Sequence, residues 1–527
     1  MSKFRASIRL VHAVWVLAHE GVLAALPADS LTGLPAFGHR LAKWLARPRT
    51  KKFDGAENMT RAMNKLGPSY IKLGQFLATR PDIVGSDVAN KLAELQDHLS
   101  TFSNEEAIAQ IEQSLGRKID DLFVEFGEPI AAASMAQVHP ATVRDGDGNL
   151  RKVAVKVIRP NVRQRFAKDL ESFLMVARWQ ERYVKASRRL RPVTVVETLA
   201  QTTKIEMDLR LEAAAISEMA ENIIDDEGFR VPVVDWERTG RDVLTMEWID
   251  GIKMSDVEAL KDAGFDTNTL ATTLMQSFLS HTLRDGFFHA DMHPGNLFVD
   301  ASGCIVAVDF GITGRLGKKE KRFLAEILYG FIYRDYRRVA EVHFEAGYVP
   351  NHHDIASFAQ ANRAIGEPIH GQSAQTISMA KLLTLLFEIT QLFDMETRPE
   401  LLLLQKTMVV VEGVSRTLNP QFNMWKASEP IVSQWMITNM GPIGYAKDIR
   451  DGLKSLTKLA QKTPELVQSF EQITDGLAKT AVEGLHLDDK TVKKFSALQA
   501  KRDRSLKILM TIIAICMIVI VIRLYCL

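Results

Sequence analysis

The stretch from His289 to Gly311 constrains this 527-residue chain more than any other. His-Ala-Asp-Met-His-Pro-Gly-Asn is followed by an apolar run, Cys304 to Val308, which delivers Asp309-Phe310-Gly311 at its end. Asp291 and Asn296, five positions apart, and Asp309 together offer hard oxygen donors, the ligand type that magnesium takes. Asn296 and Asp309 read as the metal-ligating pair, and Asp291 as the catalytic group that takes a proton from, or orients, an acceptor hydroxyl. Chemistry that depends on positioning and charge neutralisation more than on covalent steps is phosphoryl transfer. Two unrelated turns are the alternative, since His-Pro-Gly-Asn is turn-like by itself.

Protein kinases carry an Asp and an Asn at this spacing, and an Asp-Phe-Gly just beyond a short hairpin. The rest of such a site should lie upstream. From Pro129, Ile-Ala-Ala-Ala-Ser-Met-Ala-Gln-Val begins a strand, loop, strand pattern with small residues where a phosphate cover belongs. Alanines allow close backbone approach without glycine's access to positive φ, so this loop should be stiffer than a glycine loop. After the turn Asp145-Gly-Asp-Gly-Asn, the strand Val153-Ala-Val-Lys-Val-Ile sets Lys156 among apolar neighbours. Glu206, Asp208 and Glu212, on a helical stretch from Lys204, are its candidate carboxylate partners; Asp208 and Glu212 share a face of that helix and Glu206 points elsewhere. Val231 to Trp236 and Asp242 to Gly251 read as two strands, with Met246 to Ile249 as the connection that would contact adenine. After Gly311 the chain enters helix almost at once, without Ala-Pro-Glu, so a peptide-docking activation segment is not expected.

Helical patterns flank this centre. Gly67 and Pro68 open a helix that Pro81 stops, with Tyr70, Leu73 and Leu77 on its packing side and Lys72 and Gln75 on neighbouring surface positions. Ile8 to Leu26 is too polar to span a bilayer and too apolar to be solvated; it lies either on a membrane surface or on the protein's own body. Near the C-terminus, Lys501-Arg-Asp-Arg-Ser-Leu-Lys precedes the uncharged run Ile508 to Ile522. As a helix that run rises about 22 Å, so flanking residues must extend it to cross a core of roughly 30 Å. A C-terminal anchor is expected, with the body on the cytoplasmic side by the positive-inside rule; a buried helix or a tail-mediated oligomer such as a homodimer is the alternative. Lys+Arg 66 against Asp+Glu 64 leaves +2, which excludes a global nucleic-acid footprint, and three scattered cysteines speak against disulfides or a cysteine zinc site.

Lys72-Leu-Gly-Gln75, the alanine loop, Lys156, Glu206 with Asp208, Glu212, His289 to Asn296 and Asp309-Phe-Gly together resemble the UbiB family of atypical protein-kinase-like proteins, over roughly residues 55 to 420. The resemblance implies an α+β, protein-kinase-like two-lobe fold with additional N- and C-terminal helices and a C-terminal membrane anchor. The corresponding division is 1–54 amphipathic region and linker, 55–128 helical extension, 129–250 upper lobe with a helical insertion, 251–485 mostly helical lower lobe, 486–505 basic linker and 506–527 transmembrane anchor. ATP and Mg2+ are the implied cofactors. The ATP-binding set implied is Ile130, Ala131, Ala132, Ala133, Ser134, Met135, Ala136, Gln137, Val138 and Lys156, with Glu212 as the partner of Lys156. Asp291 matches the catalytic aspartate, and Asn296 and Asp309 match the magnesium ligands. Lys72 and Gln75 match an extension that folds over the nucleotide site, Glu206 and Asp208 an acidic motif that meets it, and His289 and His293 read as loop scaffold.

The family's role implies ubiquinone biosynthesis at the bacterial inner membrane, with membrane lipid, polyprenyl precursors and other proteins of that pathway as partners. A small-molecule kinase also fits His289 to Asn296, although the Lys72 segment counts against it; a nucleotide-gated lipid scaffold fits the alanine loop. Nothing resembles a flavin or iron site, which argues against direct hydroxylation.

Overall fold

The computed structural model describes residues 2–22, 55–78, 92, 101–183, 191–371, 388–389, 392–395 and 399–440. Helices α1 (Ser2–His19), α2 (Gly55–Leu66) and α3 (Pro68–Ala78) precede α4 (Asn104–Leu115). A capping box starts α4: Glu106 N–H donates to Ser103 Oγ at 3.3 Å while Ser103 N–H donates to the Glu106 carboxylate at 3.2 Å. Strands β1 (Glu125–Phe126), β2 (Ala131–Ala132), β3 (Ala136–Arg144) and β4 (Leu150–Ile158) follow. The sheet therefore begins four residues ahead of the upper-lobe boundary expected at 129.

Alternation along β4 decides what faces the cleft. Val153, Val155 and Val157 are fully buried with Ile111 of α4, Val143 and Val243. Lys156, between two of them, takes the opposite face. Each buried valine contributes about 1.5–3 kcal/mol, and a one-residue slip would place Lys156 in the apolar layer, so the α4 side fixes the register.

From β4 the chain runs through α5 (Val162–Tyr183), α6 (Pro192–Glu206) and α7 (Leu209–Asn222) to β5 (Phe229–Arg230), β6 (Val243–Glu247) and β7 (Gly251–Lys253). The upper sheet has the order β1-β3-β4-β6, with β2 also on β3, and its pairings are antiparallel. The strand expected at Val231 to Trp236 does not form. Pro232 lacks an N–H, and Asp235 accepts from Arg238 N–H at 3.3 Å to turn the chain into a short 3-10 helix, leaving only an isolated bridge between Val234 and Met246.

Below this lie α8 (Thr267–Ser280), β8 (Phe287–His289), β9 (Leu297–Asp300), β10 (Ile305–Ala307) and β11 (Thr313–Arg315). Strands β5-β10-β9-β7 form a sheet in which β5 runs parallel to β10, and β8 pairs with β11. Helices α9 (Lys318–Ile332), α10 (Tyr336–Glu345), α11 (Ile355–Gly371), α12 (Pro399–Leu418) and α13 (Met424–Met440) complete the described part. Leu404, Val411, Val414 and Leu418 bury one side of α12.

Of the two placements expected for α1, the structure shows the one on the protein's own body. Ala13, Val16 and Ala18 are buried, and Arg9 donates to Lys168 O at 2.6 Å and pairs with Glu171 at 3.1 Å, so the helix packs on α5. Ile8, Val11, Val14 and Trp15 remain exposed on the other side. The lower-lobe residues beyond 440, the basic linker at 486–505 and the anchor expected at 506–527 lie outside the described residues. Among the described residues no helix is long and apolar enough to cross a membrane.

Candidate active site

Two constellations meet at the end of β4. In the first, Lys156 Nζ lies 2.8 Å from Glu212 Oε1 and 2.7 Å from Asp309 Oδ1. Asp309 holds a left-handed φ of 64°, uncommon for a residue with a side chain and concentrated at functional sites. One cation thus serves two carboxylates, and their surroundings separate them. The Glu212 side chain is 5% exposed: burial pushes its carboxyl up to about 7, with Lys156 opposing and Asp309 adding to the rise. The Asp309 side chain is 42% exposed; burial alone would raise it, but the ammonium beside it holds it down, at about 2. The proton thus favours Glu212 over Asp309, and although burial disfavours the charge on Lys156, the two acids outweigh it and raise its pKa.

The carboxylates near Lys156 come from two helices rather than one. The helix expected to run through Lys204 to Ile216 breaks at Met207: α6 ends at Glu206, and Asp208 caps α7 by accepting from Arg210 N–H at 3.3 Å. Arg163 secures the break, donating to Met207 O and pairing with Asp242. Glu206 consequently turns toward the centre and pairs with Lys72 of α3. Burial raises the Glu206 carboxyl while Lys72 opposes it, and Asp309 lies near enough to add to the rise. Asp208, expected to meet the extension as well, binds Arg210 at 2.7 Å. Gln75 sits nearly one turn beyond Lys72 on the same helix.

The second constellation is built locally. Asp291 N–H donates to His289 Nδ1 at 3.0 Å, which makes Nε2 the protonated nitrogen that reaches Val308 O at 3.0 Å. Burial lowers the His289 pKa, so the ring is a neutral scaffold with both nitrogens engaged. His293 Nδ1 accepts from Gly295 N–H at 3.2 Å and caps the turn Pro294–Asn296. Asn296 Nδ2 donates to Asp291 O at 3.1 Å and to Asp291 Oδ2 at 3.3 Å. Val308 N–H donates to Asn296 O at 2.9 Å, joining this loop to the hairpin that carries Asp309.

In the small-residue loop, Ala131 and Ala132 pair with Val138 and Gln137, and Ala133 N–H closes on Ala136 O at 2.8 Å. Ile130 is exposed, whereas Ser134, Met135, Ala136 and Gln137 are buried. The Gln137 side chain accepts from Phe102 N–H at 3.0 Å, and its amide nitrogen donates to the Phe102 carbonyl at 3.2 Å and lies 2.9 Å from His139 Nε2. Arg159 donates to Ala133 O at 3.2 Å and pins the loop tip. Arg159 and Arg163 carry no signal in the sequence, because their partners, the carbonyls of Ala133 and Met207 and the carboxylate of Asp242, are brought near only by the fold. Thr407 of α12 is another such residue: its hydroxyl is 3.0 Å from Ala290 O, beside the His289–Asn296 loop, and 2.8 Å from Leu403 O in its own helix.

Residues 94–343 match the ABC1 atypical kinase-like domain, and residues 362–423 match the UbiB helical domain. A protein from Marinobacter nauticus named probable protein kinase UbiB is 39% identical over 465 residues, covering 87% of this chain and 84% of that one. One of the same name from Aeromonas hydrophila is 38% identical over 486 residues, covering 91% and 87%. A solved structure described as the Rv3197–erythromycin complex from Mycobacterium tuberculosis superposes with a TM-score of 0.49 and 24% identity, covering 71% of this chain and 97% of that one. The match to relatives runs through both the kinase-like and the helical segments, and the chain belongs to the UbiB family of atypical kinase-like proteins.

Proposed function

We propose that the chain binds ATP with Mg2+ between its two lobes and uses it, by hydrolysis or phosphoryl transfer, to support ubiquinone assembly at the bacterial inner membrane, its catalytic body on the cytoplasmic side. The observation that carries this is Lys156 held between Glu212 and Asp309, next to a loop in which Asp291 and Asn296 are bound to each other. Asn296 and Asp309 suit a magnesium ion, since the Asn296 nitrogen is spent on Asp291 and its oxygen stays available as a hard donor. Bound there, the ion would neutralise charge on the phosphates. Lys156 would meet phosphate oxygens while keeping Glu212, the backbone of Ala131 to Ala133 would cover them, and Asp291 would orient the acceptor. The exposed apolar side of α1 and the uncharged run from Ile508 support work at a membrane, where lipid and polyprenyl precursors are the partners in reach.

A second reading has its own observation. Lys72 of the extension is paired with Glu206 close to the phosphate centre, an arrangement that suits a nucleotide-gated lipid scaffold without productive transfer. Magnesium-dependent phosphate release from ATP by full-length protein in liposomes, with and without a ubiquinone-precursor mimic, separates the two. Lipid-stimulated turnover abolished by Asp291→Asn is expected. Nucleotide binding with no turnover under any condition would favour the scaffold.

A further inference from the structure

Outside the phosphate centre, ligand-type side chains converge between the loop ahead of α11 and the turn ahead of α12. His352 Nε2 is 3.7 Å and His353 Nε2 3.4 Å from the same oxygen, Asp394 Oδ2. One donor atom from each of the three lies within 4.8 Å of the others. Adjacent residues in an extended chain point to opposite sides. Here a turn closed by His353 N–H on Pro350 O, at 3.2 Å, brings the two rings to a centroid separation of 4.1 Å. On the other side Phe393 is buried against Phe358, at 4.9 Å, and against His353, at 5.3 Å. That anchor presents Asp394, whose φ of 48° is left-handed. Asp354 takes no part, because its carboxylate caps α11 at Ser357 N–H, 2.8 Å away.

We propose that His352, His353 and Asp394 form a zinc site that nothing in the kinase-like chemistry requires. Zinc holds imidazole nitrogen and carboxylate oxygen at about 2.0–2.2 Å, which sets tetrahedral ligands about 3.3–3.4 Å apart. Both separations lie near that spacing; 3.7 Å is beyond hydrogen-bond reach, and 3.4 Å is a long hydrogen bond between His353 and Asp394 that the ion would replace. Two imidazoles and a carboxylate select a transition-series divalent ion over magnesium or calcium, which take oxygen alone. Three protein ligands leave a position for water. The ion would join residues 41 apart in the chain, fixing the lead-in to α12, the helix whose Thr407 holds Ala290.

The test is zinc binding by full-length protein freed of any polyhistidine tag, stripped by chelator and re-equilibrated with Zn2+ in excess Mg2+, beside His352→Ala and Asp394→Asn. His352 and Asp394 are 66% and 69% exposed, so neither substitution opens the core, and thermal melts of the stripped proteins verify that. Expected is one tightly bound zinc in the parent, weakened more than about tenfold in each variant, with a zinc-dependent rise in melting temperature only in the parent. No zinc in the parent, or equal zinc in the parent and both variants, would overturn the site.

Discussion

The Lys156 centre and the catalytic loop are a few residues apart in space but are held in opposite ways. Lys156 reaches Glu212 and Asp309 across 56 and 153 residues, by charge, with two further helices adding Glu206 and Lys72. The loop holds itself: the partners of Asp291 are two and five residues away. A centre held by long-range charge depends on several distant elements, so an entering ion or nucleotide would be expected to perturb it. A loop held by its own hydrogen bonds presents Asp291 and Asn296 in one geometry regardless. The difference assigns sensitivity to the first and precision to the second.

Removing the carboxylates of Asp291 and Asp309 should have the largest effect and should not separate the two regions. Asp291→Asn and Asp309→Asn are each expected to lower phosphate release by about 10²–10⁴-fold. Nucleotide affinity, measured by equilibrium binding, should then separate them, since only Asp309→Asn removes a charge partner of Lys156.

The next effect belongs to the charge-held side. Lys72→Ala leaves the Glu206 carboxyl buried without its cation, and breaking such a pair costs on the order of 3–5 kcal/mol. Denaturant melts should show Glu206→Gln recovering much of this loss in the double variant. Non-recovery would mean that the extension is held by packing alone.

Titration sharpens the same comparison. With its pKa raised from 4.5 to about 7, Glu212 contributes stability that is complete below the lower value and is lost as pH rises through the upper one. Asp309, depressed, contributes above its ordinary range, and that contribution is lost as pH falls through its folded value. The stability of the parent relative to Glu212→Gln should therefore decline from pH 4.5 to 7 in denaturant melts. A difference independent of pH would contradict the unequal sharing of Lys156.

Smallest is the loop's outer support. Thr407→Val keeps the shape and deletes the hydroxyl facing Ala290 O, with an expected loss of about 1 kcal/mol and a few-fold lower turnover. An unchanged kcat would show that the loop needs nothing from α12.

The same contrast explains what could be read from the sequence. His289 to Asn296 is legible because its partners are contiguous, and Lys156 because strand alternation places it opposite three valines. Glu206 and Glu212 were present as candidates, but the break at Met207 that lets both approach the centre is secured by Arg163, through contacts no local pattern encodes. Val231 to Trp236 has strand composition, yet a missing N–H at Pro232 and the Asp235 cap override it. Gln137 lies within the expected ATP-binding segment, although its amide is bonded to Phe102 and His139, both outside that segment.

The most direct test of the central claim is ATP affinity with and without Mg2+, measured on full-length parent and Asp309→Asn. If Asp309 leaves Lys156 for the metal when nucleotide enters, Mg2+ should tighten ATP binding in the parent and have little effect in the variant. An equal effect of Mg2+ on both would place the metal elsewhere and contradict the account of the charge-held centre.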